Sequence, residues 1–178
     1  MRPREWISLL VCVIAGLLWV FLAQNVLFLN VFAGWLVGPG LDLQDYLQTG
    51  SSPSFTVLWL GCLTALLIWY SVTFRRSTRS SAEVRQMRGR WWLAALLLVL
   101  FGWLAQLHFT VFKWQVTGTS PLEGGGVNYY PLPLMGWILL LLFVVLDVAL
   151  LFWLPTLLAS PKSHRFVVPG AASLKGGR

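Results

Sequence analysis

One carboxylate stands apart from the other charged residues of this chain. Asp147 lies inside an apolar run, residues 135–158, at the depth of the middle of a bilayer. A carboxyl there costs about 2.5–3.5 kcal/mol on insertion scales, so such groups face a bundle interior or water. Two chemistries fit. Asp147 is a proton or cation site, or a charge paired with another subunit. Alternatively it is a protonated or hydrogen-bonded carboxyl that ties two helices together. No basic residue shares its depth, which makes the tie the simpler expectation.

Other polar residues in apolar runs are few. Gln106 and His108 fall in the outer half of the run 91–112. Two residues apart on a helix means about 200° around its axis, so they do not line one site together. His108 sits roughly a dozen ångströms from Asp147 along the bundle by the same helical rise, where an imidazole finds interfacial hydrogen bonds more readily than a relay role. Gln24 and Asn25 approach the outer end of the first run. Interhelical amide bonds of about 0.6 kcal/mol each account for them and for Gln106; a polar vestibule opening outward is the sharper alternative. Pro155 removes a backbone donor and predicts a kink near the end of the last run. Gly61 and Ala65 form a small-xxx-small pair that lets a second helix approach. Cys12 and Cys62 lie within apolar runs and read as small packing residues.

The segment RRSTRSSAEVRQMRGR supplies Arg75, Arg76, Arg79, Arg85, Arg88 and Arg90. It reads as a loop whose arginines fix orientation. Arginine without lysine also suits bidentate contact with carboxylates or phosphates of a partner or of lipid.

The residue inventory excludes several chemistries. Disulfide-generating membrane enzymes need cysteine pairs in outer loops, and a bis-histidine haem needs two histidines within the bilayer. Here His164 falls in the tail, which leaves only His108. Zinc sites need three or more ligands. Phosphate-binding glycine loops and nucleophile elbows are absent from the sequence. No catalytic activity, cofactor or metal is expected, and no nucleic-acid partner.

The elements that position these residues follow from hydropathy. Of 178 residues, 57% are hydrophobic and 11% charged, and mean hydropathy is +0.73. Soluble domains carry roughly a quarter charged residues, so lipid is the main solvent of this chain. About 20 apolar residues span the hydrocarbon, and four runs qualify: about 6–28, 55–74, 91–112 and 135–158. The expected fold is an all-α membrane protein with four transmembrane helices and short outer loops, comprising residues 1–160 and a basic tail, 161–178. Although MRPR precedes an apolar run, that run exceeds the roughly 7–15 residues of a signal core; it is expected to be an uncleaved span.

Charge sets the orientation. Twelve of thirteen cations lie before the first span, between the second and third, or after the fourth, and Lys113 alone lies on the other side. The positive-inside rule places both termini in the cytoplasm, in a bacterial-type inner membrane. Indoles cluster at the span boundaries, where an apolar ring and a wet N–H are both satisfied; Trp19 and Trp103 alone fall at apolar depth. The outer segment 30–53 is broken at Gly38, Pro39 and Gly40, and the tail, with its glycines and prolines, reads as mobile unless held. These features point to a non-catalytic subunit, scaffold or assembly factor of a larger membrane complex. The alternative is a small oligomeric transporter or channel built around Asp147.

Overall fold

The structure, a computed structural model, describes residues 3–22, 52–75, 80–108, 134–161, 164 and 166–171. Regular structure among them is helical: α1 (Pro3–Leu22), α2 (Ser52–Arg75), α3 (Ser81–Leu107), α4 (Leu134–Val148), a π-helical turn (Ala149–Trp153) and α5 (Leu154–Ala159). Three segments are long and apolar enough to cross a membrane: Pro53–Thr73, Ser81–Leu107 and Leu134–Ala159. At 1.5 Å per residue the shortest of these is about 31 Å long, which matches the hydrocarbon thickness. The expected first span corresponds to α1, whose apolar stretch Leu9–Trp19 is shorter. Residues 23–28 of that span lie outside the described residues, as do residues 30–51 of the segment that follows it.

The exposed faces explain the need for lipid. Leu10, Val11, Leu17 and Leu18 on α1, and Leu93 and Leu96 on α3, are each more than two-fifths exposed. Apolar surface on this scale would drive association in water and is neutral against acyl chains.

α3 begins earlier than hydropathy predicts. Ser80 caps it: its hydroxyl accepts from the Glu83 backbone N–H at 3.2 Å, and the Glu83 carboxylate accepts from the Ser80 N–H at 3.3 Å. This reciprocal box satisfies two N–H groups that a helix start otherwise leaves open. Arg85, Arg88 and Arg90, expected in a loop, therefore occupy the opening turns of a helix.

α2 is the central element, touching α1, α3, α4, the π turn and α5. Its Leu58 meets Val144 of α4 over Gly102 of α3. A Cβ at Gly102 would lie 2.8 Å from Leu58 Cδ1 and 2.9 Å from Val144 Cγ1, so the three helices converge only because that position has no side chain. Gly61, of the expected small-residue pair, faces Phe101 of α3 at 2.9 Å from the Cβ it lacks. Its close approach thus serves the chain's own bundle. Both cysteines are buried and unbridged.

Pro155 marks the widened turn. The Leu154 N–H reaches back five residues to the Ala149 carbonyl, and Pro155 follows at once. A π turn beside a proline re-aims the helix end, and the Pro155 carbonyl is held by the Tyr70 hydroxyl at 2.8 Å.

Candidate functional site

Asp147 is 1% exposed. The Trp19 indole N–H of α1 donates to its Oδ1. One turn away, the same antiparallel pair of helices sets Gly16 against Leu151, and glycine there admits the leucine side chain and brings Trp19 within reach. Cys62 of α2 completes the surroundings, within electrostatic reach of the carboxyl. Asp147 Oδ2 has no hydrogen-bond partner among the described residues.

The remaining sequence candidates do not converge on Asp147. Gln106 is 1% exposed, and both its amide atoms lack partners among the described residues. Because Gly102 packs on Val144, Gln106 lies one turn from that contact away from the arginine-bearing end and Asp147 nearly one turn toward it. Their separation along the bundle is about 10 Å by helical rise. His108 ends α3 on an exposed side, its backbone N–H returning to the carbonyls of Leu104 and Ala105. Gln24, Asn25, Arg76 and Arg79 lie outside the described residues, and Arg75 is the last residue of α2. Among the described residues no group of three or more His, Cys, Asp or Glu could hold a metal ion.

Trp19 is the participant that sequence reasoning named but did not pair. An indole N–H at apolar depth is a donor without water, and a carboxyl at the same depth is the matching acceptor. Trp103, the other indole at that depth, packs edge-on against Trp137 at 5.7 Å.

A second polar assembly occupies the arginine-bearing end. Trp69 Nε1 donates to Ser160 Oγ at 3.2 Å, and Trp91 Nε1 to Thr156 Oγ1 at 3.1 Å. Thr156 in turn donates to the Trp153 carbonyl at 2.8 Å. The Trp91 ring stacks on Phe152 at 5.6 Å.

The tail folds back onto this end. Trp153 Nε1 donates to the Pro169 carbonyl at 2.9 Å, and an Arg88 Nη2–H donates to the Phe166 carbonyl. Gly170 turns the chain at φ +85°, a conformation glycine adopts without strain. Val167, Val168 and Ala171 are buried, so this part of the tail is packed, contrary to the mobility its composition suggested. His164 is buried beneath the same turn, and that burial holds its imidazole below the ordinary histidine value.

Arg85, Arg88 and Arg90 are all exposed on the opening turns of α3, and Arg88 also bonds to the tail. They make the opening turns of α3 cationic, next to Trp91 and Trp92. No protein-family model, curated protein or solved structure matches this chain.

Proposed function

We propose that this chain is a four-span protein of a bacterial-type inner membrane, with both termini cytoplasmic, that serves as a non-catalytic subunit, scaffold or assembly factor of a larger membrane complex. The observation that carries this reading is the Trp19–Asp147 hydrogen bond. The one carboxyl at mid-bilayer depth takes its donor from the chain's own first helix, so it acts as an internal tie between α1 and α4. The opening ten residues of α3 precede Trp91 and extend about 15 Å along the helix axis. They carry Arg85, Arg88 and Arg90 to where a partner's carboxylates or phosphates could meet them. Orientation rests on the asymmetric distribution of the cations.

A transporter or channel reading has one observation in its favour: Asp147 Oδ2 finds no donor among the described residues, which leaves room for a proton or cation. Asp147→Asn separates the two. The carboxamide keeps an oxygen for the Trp19 indole but loses the ionisable group. A tie survives this change, and the protein still co-purifies with its companions; a coupling carboxylate does not, and transport is abolished. The companion experiment is purification in mild detergent followed by native gel and mass spectrometry. Stoichiometric heterologous companions are expected, and a homo-oligomer with nothing attached overturns the subunit reading.

A further inference from the structure

Between α3, the π turn and the folded-back tail runs a cavity of about 500 Å³, lined almost entirely by carbon. Trp92, Ala95 and Val99 form one wall, Val145, Ala149 and Trp153 the other, and Pro169 and Gly170 close the end. Its walls span seven to eight helical residues, about 10–12 Å, which is most of the depth of one leaflet of the hydrocarbon. A second cavity of about 230 Å³ shares Trp92, Pro169 and Gly170 with the first and adds Arg88 and Phe166. The two are neighbours, with Trp92, Pro169 and Gly170 between them. An apolar slot therefore adjoins a smaller cavity whose charged lining residue is Arg88, the mouth of the slot at the arginine-bearing end.

We infer that this slot is a binding site for one anionic glycerophospholipid, its acyl chain between α3 and the π turn and its phosphate on Arg88. The chemistry at the two ends decides the occupant. A methylene chain satisfies the carbon walls, and the Arg88 guanidinium at the mouth suits an anion. Arg88 donates one N–H to the Phe166 carbonyl, and a guanidinium has five such donors in a fixed fork that matches phosphate oxygens. The Phe166 and Trp153 contacts hold the tail turn in place as the rim of the mouth. About 500 Å³ spread over about 10–12 Å of length gives a cross-section too narrow for a partner helix about 10–12 Å in diameter, and wide enough for an acyl chain. This inference depends on the membrane reading and the arginine-bearing end facing a bilayer surface; it does not depend on the scaffold role.

The test is native mass spectrometry of the full chain released from nanodiscs that contain equal phosphatidylglycerol and phosphatidylcholine. The expected result is one retained lipid, predominantly phosphatidylglycerol. Arg88→Gln should reduce that preference by about fivefold, the weight of one cation against an anionic lipid, while Arg85→Gln and Arg90→Gln leave it in place. Ala95→Phe, which fills the slot, should remove the retained lipid of either kind, with circular dichroism confirming an intact helical fold. Equal retention of both lipids by the unaltered chain overturns the inference. So does an equal loss with all three arginine variants, which would mean diffuse surface attraction. Retention by a folded Ala95→Phe protein would place the lipid elsewhere.

Discussion

The two ends of the bundle use polar groups differently. At the arginine-bearing end four aromatic donors reach across elements: Trp69 to Ser160, Tyr70 to Pro155, Trp91 to Thr156 and Trp153 to Pro169. Nearer the middle and the far end the helices meet through Leu58, Val144 and the cleft of Gly102. There the Trp19–Asp147 bond crosses the bundle, while Gln106 is buried without a partner among the described residues. The physical reason is the solvent. At the interface an indole or hydroxyl can keep one side apolar and find a wet or polar partner on the other. In hydrocarbon each polar group must be matched inside the protein or go unmatched. Among the described residues the first end shows directional bonds between elements, and the second shows close packing over Gly102.

The largest effect that tests this contrast is at Phe152, fully buried and stacked on Trp91. Phe152→Ala should lower unfolding stability by about 3–5 kcal/mol, the range for large aromatic truncations in packed cores. Reversible unfolding in mixed micelles, followed by tryptophan fluorescence, measures it. A loss below about 1 kcal/mol would mean the aromatic hub is not where the bundle is anchored.

Next comes Tyr70→Phe, which removes the hydroxyl and leaves the buried Pro155 carbonyl without that donor. A buried acceptor deprived of its donor costs about 1–3 kcal/mol. The same unfolding assay reads it, and hydrogen exchange should rise in the π turn and α5 before it rises in α2. A neutral result would show that the π turn and Pro155 hold their geometry without the tyrosine.

These elements differ in how far the sequence disclosed them. Hydropathy alone locates the apolar cores of α2 and of the α4–α5 run, because about 20 apolar residues leave no other reading. The early start of α3 was also written in the sequence, as Ser80 and Glu83 at capping-box spacing. A loop reading of the arginines obscured it, since a count of cations carries no helical period. Trp19 and Asp147 were each identifiable at apolar depth, yet their pairing was not. It depends on the relative register of α1 and α4, and that register is set by Gly16 against Leu151. The tail misled through its glycines and prolines. Two adjacent valines, Val167 and Val168, are buried, and composition averaged over the segment hides a pair.

His164 gives the packed tail a pH dependence of smaller size. Its backbone N–H bonds to the Pro161 carbonyl at 2.9 Å, and its own carbonyl accepts from Val167 at 3.0 Å, so its backbone is fixed where the turn begins. Burial holds its imidazole below the ordinary value. Above about pH 6.5 the ring is neutral whether the tail is packed or released, and packing is at full strength. As pH falls below that value, the released tail takes up a proton that the packed tail resists, and packing weakens. Hydrogen exchange over residues 164–171 should therefore accelerate between about pH 7.5 and about pH 5.5 beyond its intrinsic rate change. His164→Gln should flatten that difference; an unchanged profile would assign the effect to another group.

The smallest effect belongs to the mid-bundle tie, and it bears most directly on the contrast. Side-chain hydrogen bonds between membrane helices average about 0.6 kcal/mol and reach about 1.7, because the separated helices also find partners within the bilayer. Trp19→Phe keeps most of the ring and removes the N–H, so it should cost within that range and less than Tyr70→Phe. A double-mutant cycle with Asp147→Leu isolates the pair, since neither single variant retains the bond and the remaining coupling is the interaction itself. Coupling near zero would make the Trp19 contact incidental and free the carboxyl for a cation, which strengthens the transporter reading. Coupling above the Tyr70 effect would reverse the contrast and make the buried carboxyl the strongest polar contact in the bundle. A modest coupling within the expected range supports a division in which the arginine-bearing end fixes the structure and Asp147 keeps α1 in register with it.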